Sequence, residues 1–344
     1  LTALNSTSTP VASTSALTIR NFANGKVNFL TLQNHLPGVS NLSVDSNRNE
    51  LATIFTPKSA IEWRQKAVVA WTSKSIWNTI AAASGYARPA FADLDNDGDY
   101  DMLMGEADGT TKGYENTGTQ SFPVFVARPS WSVADLGDYT MPVFADLDND
   151  GDYDLLVGEN TTIKGYENRG TVNNAIWVAK TVWNLTPAGA YFAPALADLD
   201  NDGDYDMIVG NGFGASALAY ENTGSAISPT WTAKSAWDPM DMGDNMVPVM
   251  ADFDNDGDYD MLMGEISGRT FGIENYGNKD APLWRTKSLW NIGDIGAYSS
   301  PAVADFDNDG DYDLLLGDSG TGASGAYDNT GSYTPVYFGS TGKF

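Results

Sequence analysis

Asp146-Leu147-Asp148-Asn149-Asp150-Gly151-Asp152-Tyr153-Asp154 is written five times in this chain of 344 residues, with Leu or Phe at its second position. The copies begin at Asp93, Asp146, Asp198, Asp252 and Asp305, at offsets of 53, 52, 54 and 53 residues. A period near 50 residues marks one supersecondary unit stacked repeatedly, as in propellers and solenoids. Each copy is also built as a cage for a hard cation. Acids at positions 1, 3 and 5 alternate with other residues, so a curled loop aims them at one centre. The glycine at position 6 permits the sharp turn. Position 7 offers its backbone carbonyl, and the Asp at position 9 closes the shell. With a water this makes roughly six or seven oxygen ligands, which suits Ca²⁺ and is too many and too flexible for Mg²⁺. The chain has no Cys and one His, so softer metals lack their usual ligands.

The candidate metal residues are the acids of the five loops. They are Asp93, Asp95, Asp97, Asp99 and Asp101; Asp146, Asp148, Asp150, Asp152 and Asp154; Asp198, Asp200, Asp202, Asp204 and Asp206; Asp252, Asp254, Asp256, Asp258 and Asp260; and Asp305, Asp307, Asp309, Asp311 and Asp313. About five Ca²⁺ ions are expected. The loops start like EF-hands and do not continue like them. An EF-hand needs Glu at position 12 and flanking helices. Position 12 of the first copy is Met104, in an apolar run that ends at Gly105 and suits a buried strand.

The surroundings of the loop recur as well. Upstream lies Gly-x-Tyr-x-x-Pro, at Gly137 to Pro142, Gly189 to Pro194 and Gly296 to Pro301, with Asn245 replacing the tyrosine in the fourth unit. Downstream come Leu155-Leu156-Val157-Gly158-Glu159, then Gly165-Tyr166-Glu167-Asn168, then Trp177-Val178-Ala179-Lys180-Thr181-Val182-Trp183. Each unit thus offers four short strands separated by Gly-, Asn- and Asp-rich turns, which is a propeller blade. In Trp-x-x-Lys-x-x-Trp the two aromatics sit six apart, so an extended strand would show both on one face and the base on the other.

The five Asp-x-Asp-x-Asp-Gly-x-x-Asp loops, the Ala-Asp before them, and the Leu-x-x-Gly and Tyr-Glu-Asn-Thr-Gly segments after them resemble the FG-GAP/VCBS repeat family of integrin-α-like propellers. The resemblance covers about residues 85–339. It implies an all-β propeller with Ca²⁺ held between the first two strands of a blade. It does not imply one activity, because such blades serve adhesion, sugar binding and scaffolding alike.

The N-terminal quarter departs from the pattern. Asp45-Ser46-Asn47-Arg48-Asn49-Glu50 reads as a decayed loop without the glycine, and Trp71-Thr72-Ser73-Lys74-Ser75-Ile76-Trp77 as its outer strand. Residues 37–77 are therefore expected to form a blade without calcium, and residues 16–34 a hairpin turning at Asn24-Gly25. The expected organisation is a Ser/Thr-rich arm at residues 1–15 and one propeller domain at residues 16–344, with degenerate blades at 16–77 and five calcium-loop blades at 78–344. Seven blades are expected, with six blades plus an arm as the alternative. The last strand of the fifth calcium blade is expected at Pro335-Val336-Tyr337-Phe338.

The net charge is −26, from 45 acidic and 19 basic residues. The loops hold 25 of those acids, and five divalent ions would bring the charge to −16. Such a surface repels nucleic acid and anionic membranes. No apolar run approaches the ~20 residues of a membrane span. Loops of this kind fit the calcium-rich space outside the cell, so a secreted or surface-attached protein is expected. The sequence begins at Leu1, consistent with removal of a leader. Asn5, Asn41, Asn160 and Asn184 each stand in Asn-x-Ser/Thr, an acceptor for glycans where the source glycosylates.

His35 is the single histidine, so Ser-His-Asp and Cys-His chemistry has no base. Glu106, Glu159 and Glu265, and Glu115, Glu167, Glu221 and Glu274, recur in register, which fits structure better than an asymmetric acid pair of a glycosidase. No enzyme is expected. Two roles are. One is a structural or adhesive surface protein whose arm pairs with a neighbouring copy and builds a homo-polymer. The other is a glycan-binding propeller that stacks sugars or other cell-surface ligands on exposed tryptophans.

Overall fold

The structure is a computed structural model and describes residues 69–74, 86–119, 122–133, 136–171, 174–212, 216–277, 281–307, 309–318 and 323–330. After a first short strand, β1 (Trp71–Ser73), the chain builds hairpin-linked antiparallel sheets one after another. Blade 1 is β2 (Arg88–Ala92), β3 (Asp101–Gly105), β4 (Thr111–Asn116) and β5 (Phe125–Ala127). Blade 2 is β6 (Met141–Ala145), β7 (Asp154–Gly158), β8 (Ile163–Asn168) and β9 (Trp177–Ala179). Blade 3 is β10 (Ala193–Ala197), β11 (Asp206–Gly210), β12 (Leu218–Asn222) and β13 (Trp231–Ala233). Blade 4 is β14 (Val247–Ala251), β15 (Asp260–Gly264), β16 (Thr270–Asn275) and β17 (Trp284–Thr286). Blade 5 is β18 (Ser300–Ala304), β19 (Asp313–Gly317) and β20 (Ala323–Asn329), and its outermost strand is β1.

The strand types follow from their surroundings. The second strand of each blade is buried from end to end, which is why Met102-Leu103-Met104 and Leu155-Leu156-Val157 are unbroken apolar runs. The glycine that ends it is required by a close approach. A Cβ on Gly158 would lie 1.9 Å from the Phe192 carbonyl oxygen of the next blade. The equivalent glycines 105, 210, 264 and 317 meet carbonyls of the next blade at 2.0–2.2 Å.

Ring closure sets the blade number at five, which corrects the expectation of seven or six. The segment leading into each blade donates a backbone hydrogen bond to the residue after the second strand of the blade before it. The bonds are Thr140 N to Glu106 O at 3.1 Å, Phe192 N to Glu159 O at 3.0 Å, Met246 N to Asn211 O at 3.2 Å and Ser299 N to Glu265 O at 3.1 Å. The fifth, Ala87 N to Asp318 O at 3.0 Å, joins blade 5 directly to blade 1. The innermost strands β2, β6, β10, β14 and β18 neighbour one another in that order and back to β2, leaving no gap for another blade.

The source of the fourth strand of blade 5 differs from the expectation. β1 pairs with β20 in the register Trp71 with Asn329, Thr72 with Asp328 and Ser73 with Tyr327, so the N-terminal side supplies the fourth strand of blade 5. Trp71-Thr72-Ser73 therefore belongs to a blade with an Asp loop, not to a degenerate one. The physical reason is that a ring gains by letting distant parts of the chain share one blade, which leaves no edge open at the seam. The expectations for residues 1–15, 16–34, 45–50 and 335–338, and for His35, fall outside the described residues.

Candidate metal centres and the blade interfaces

Each Asp loop links the first and second strands of a blade and begins one residue after the first strand's final alanine. Two left-handed residues curl it. In blade 2 these are Asn149 at φ 57° and Gly151 at φ 95°, and no atom lies within 4 Å of where a Gly151 Cβ would stand. The asparagine at position 4, present in all five copies, is a signal that sequence reasoning passed over. Asn tolerates the left-handed region better than other residues with a Cβ.

The curl brings three carboxylates together in every loop. They are Asp93, Asp95 and Asp101; Asp146, Asp148 and Asp154; Asp198, Asp200 and Asp206; Asp252, Asp254 and Asp260; and Asp305, Asp307 and Asp313. In each group one oxygen per residue lies within 4.8 Å of the others. These groups could hold a metal ion. The acids at positions 5 and 7 lie outside them. The position-5 carboxylate turns back on its own loop, where Asp150 Oδ1 accepts the Asp152 N–H at 3.0 Å. The same bond recurs at Asp97, Asp202, Asp256 and Asp309.

Positions 1 and 9 are tied down by the backbone. Asp146 accepts the N–H groups of Asp150 and Gly151 at 3.1 and 3.0 Å. Asp154 accepts Leu147 N at 2.9 Å through Oδ2 and Asn168 N at 2.8 Å through Oδ1. Position 9 is thus a buried bolt between the loop and the third strand. The asparagine ending that strand continues the network, since Asn168 Oδ1 accepts Gly170 N and Ile176 N, both at 3.0 Å. Sequence reasoning used this Asn only as part of a repeated tag.

Position 3 is different. Oδ1 of Asp95, Asp148, Asp200 and Asp307 is buried and accepts no hydrogen bond. Proteins rarely leave a buried carboxylate oxygen in that state. A divalent cation would satisfy it, and an all-oxygen donor set suits a hard ion. The electrostatics agree. Burial pushes Asp148 above the ordinary carboxylate range, and the charge on Asp150 adds to the effect. Burial raises Asp101, Asp154 and Asp206 to about 7 and Asp260 and Asp313 to about 8, against the backbone hydrogen bonds that favour their charged forms. Without a cation, these loops hold carboxylates that resist ionisation near neutral pH.

A model of the FG-GAP-like repeat matches residues 93–157, 146–209, 198–263 and 252–316, each match starting at position 1 of an Asp loop. The chain belongs to the FG-GAP-like repeat family. A search of the curated proteins finds no match. Among solved structures, an Agrocybe aegerita lectin described as recognising non-reducing terminal N-acetylglucosamine is 17% identical, over 74% of this chain and 71% of its own, with a TM-score of 0.38. The Tc holotoxin pore of Photorhabdus luminescens is 12% identical, over 78% of this chain and 15% of its own, with a TM-score of 0.38. At that level neither likeness informs the ligand of this FG-GAP propeller.

The tryptophans hold the FG-GAP blades to one another. The outer strand ends after three residues and the chain turns into a 3₁₀ helix, such as Thr181–Trp183, so the two aromatics do not share the face of one extended strand. The second aromatic is buried, as at Trp131, Trp183, Trp237 and Trp290. The first wedges against the previous blade. The Nε1–H of Trp177 donates to Trp131 O at 2.7 Å, of Trp231 to Trp183 O at 3.0 Å, of Trp284 to Trp237 O at 2.8 Å and of Trp71 to Trp290 O at 3.1 Å. The intervening base covers the buried ring, with Lys180 Nζ 5.1 Å from the Trp183 centroid.

The repeated acids are spent on ion pairs between third and fourth strands. Glu167 pairs with Lys180 at 2.7 Å, Glu221 with Lys234 at 2.7 Å, Glu274 with Arg285 at 2.7 Å, Glu115 with Arg128, and Asp328 with Lys74. Glu106 pairs with Lys112 at 2.6 Å, and Glu159 accepts the Thr161 hydroxyl at 2.6 Å. Asn184 Oδ1 accepts Gly165 N at 2.9 Å, so this sequon asparagine already serves a structural bond. Among the described residues no helix is long and apolar enough to cross a membrane.

Proposed function

We propose that this FG-GAP propeller is a calcium-stabilised, non-catalytic scaffold of the extracellular space with a structural or adhesive role. The observation that carries the reading is the buried, hydrogen-bond-free Oδ1 at position 3 of the loops, aimed at two further carboxylates. Asp at positions 1, 3 and 9 would hold the ion, which supplies charge neutralisation. The millimolar calcium outside cells supports that location. The recurrence of the third-strand acids Glu115, Glu167 and Glu221, each paired with the base that follows the fourth strand, supports a role without catalysis. The test is thermal unfolding in Ca²⁺, Mg²⁺ and EGTA. Chelation should lower the Tm by more than 10 °C and Ca²⁺ should restore it where Mg²⁺ does not. An unchanged melt in EGTA defeats the reading.

The ring closes with strand Trp71–Ser73, so the residues before it are not needed to complete a blade. That supports residues 1–15 as an arm that pairs with a neighbouring copy and builds a linear polymer. Light scattering and electron microscopy on the full chain and on the chain lacking residues 1–15 decide it. Monomers from the full chain at high concentration in Ca²⁺, or equal assembly by both, end the polymer reading.

A second reading has one specific observation in its favour. The Asp-loop mouth of the ring carries a cavity of about 410 Å³ lined by Asp93, Asn96, Tyr100, Asp152, Tyr153 and Asp305 among others. Aromatic faces beside carboxylate and amide groups suit a saccharide, and Tyr153 is 39% exposed, whereas Tyr100 also packs against the core between blades 1 and 5. A glycan array on wild type and Tyr153→Ala tests it. No hits, or hits indifferent to the substitution, remove it.

A further inference from the structure

The opposite mouth of the ring carries different chemistry. The residues at the head of the five innermost strands are Arg88, Met141, Ala193, Val247 and Ser300. Met141, Ala193 and Val247, from three successive blades, pack into one buried cluster, so these positions converge on the axis. Just before each strand stands a residue in the left-handed region, at Tyr86, Tyr139, Tyr191, Asn245 and Tyr298, with φ between 52° and 60°. For a bulky side chain that conformation is strained. It is held by a backbone bond to the previous blade, as from Tyr139 N to Ala107 O at 3.1 Å and from Tyr298 N to Ile266 O at 3.0 Å. The strain turns the rings toward one another. Tyr86 meets Tyr139 at 5.2 Å and Tyr298 at 4.9 Å between centroids, and Tyr139 meets Tyr191 at 5.2 Å.

Beneath this arc of tyrosines lies Arg88, which is 4% exposed. Its Nε and Nη1 are buried and donate to no acceptor. Among the described residues the groups that act on its charge are the phenols of Tyr86, Tyr298 and Tyr139, with no carboxylate. Burial draws its pKa down to about 10, so it remains a cation at neutral pH. Every other base named above as pairing with an acid is itself partly exposed, in a chain of net charge −26. A buried guanidinium with no counter-ion among the described residues is among the costlier things a fold can contain. The other four blades show that an apolar or small residue fits that place.

We propose that the axis of the propeller binds a small inorganic anion, held by Arg88 Nε and Nη1 and capped by the phenols of Tyr86, Tyr139 and Tyr298. The guanidinium fork supplies charge and paired donors; Tyr86 and Tyr298 hydrogen-bond to each other, which leaves one hydroxyl of that pair and Tyr139 as neutral donors that do not repel an anion. The ligand class is a halide or an ion of similar size, because the site sits among packed strands. The site does not rest on the calcium reading, which concerns the far mouth.

The probe is bromide. The calcium-loaded full-length protein is crystallised in sodium bromide, and anomalous difference density is measured at the bromide edge. A peak within about 3.5 Å of Arg88 Nε or Nη1 is expected. In solution, 100 mM bromide should raise the Tm by about 5 °C over isethionate at equal ionic strength. Arg88→Met, which copies blade 2, should lose both peak and shift, and Tyr298→Phe should weaken the bromide midpoint about threefold if Arg88→Met does not fold. Water alone beside Arg88 in the bromide crystal overturns the proposal. So does a bromide peak or thermal shift that survives Arg88→Met.

Discussion

At the residue scale the loop aspartates do different jobs although the sequence writes them alike. Asp154 is a backbone bolt, Asp150 closes a local turn, and Asp148 holds a buried oxygen that the protein leaves without a donor. Asp148→Asn should therefore change sign with conditions. In saturating Ca²⁺ it removes a ligand, and losing one site occupied at 100 times its Kd costs about 2.7 kcal/mol, or roughly 5–10 °C in Tm. In EGTA it removes a buried charge and should raise the Tm. Melts of the variant in both buffers check this, and shifts of the same sign would count against metal ligation.

The pH dependence follows from the same groups. An unfolded Asp titrates near 3.9. In the metal-free fold Asp101, Asp154 and Asp206 are raised to about 7, and Asp260 and Asp313 to about 8. Between pH 4 and 8 the native state binds more protons than the unfolded chain, so metal-free stability falls as pH rises through that window. Ca²⁺ competes with those protons. The gap in Tm between Ca²⁺ and EGTA should be wide at pH 8.5 and narrow at pH 5. A gap indifferent to pH would mean that these carboxylates do not face the ion.

At the scale of the element, each blade is defined by what it leaves out as much as by what it buries. Gly158→Ala drives a Cβ into the Phe192 carbonyl of the next blade, a backbone atom that cannot rotate away. The expected cost is about 3 kcal/mol or more, read by urea unfolding. Gly293→Ala is the contrast, because nothing lies within 4 Å of its Cβ position. It should be neutral or stabilise by about 0.4–1 kcal/mol through the unfolded chain. Equal effects at the two positions would contradict the close-approach account.

At the scale of the whole molecule, closure depends on the N-terminal strand β1 completing blade 5 and wedging against blade 4. Trp71→Ala loses the indole bond to Trp290 O and the edge contact with Phe253, whose ring centroid lies 6.3 Å away. It should destabilise the fold as much as Trp231→Ala, by about 2–3 kcal/mol for a half-buried ring, read by urea unfolding. If Trp71→Ala melts like wild type, the N-terminal strand does not close the ring.

The sequence by itself determined the repeat, the four-stranded blade and the acidic loop. These are local matters. Glycine at position 6, alternating carboxylates and short apolar runs act within about ten residues, so a linear reading captures them. It also marked the segment Trp71 to Trp77 as an outer strand, and Trp71–Ser73 of it is one. Blade number was not local. Dividing 344 residues by the repeat gave seven, whereas the ring closes at five because the curvature between blades brings Ala87 to Asp318. The division of labour among the aspartates was equally hidden, since only the curl of Asn149 and Gly151 selects positions 1, 3 and 9. Arg88 was silent in the sequence, one arginine before one proline. Its meaning arises where five strands from distant parts of the chain meet on one axis, and only tertiary structure creates that place.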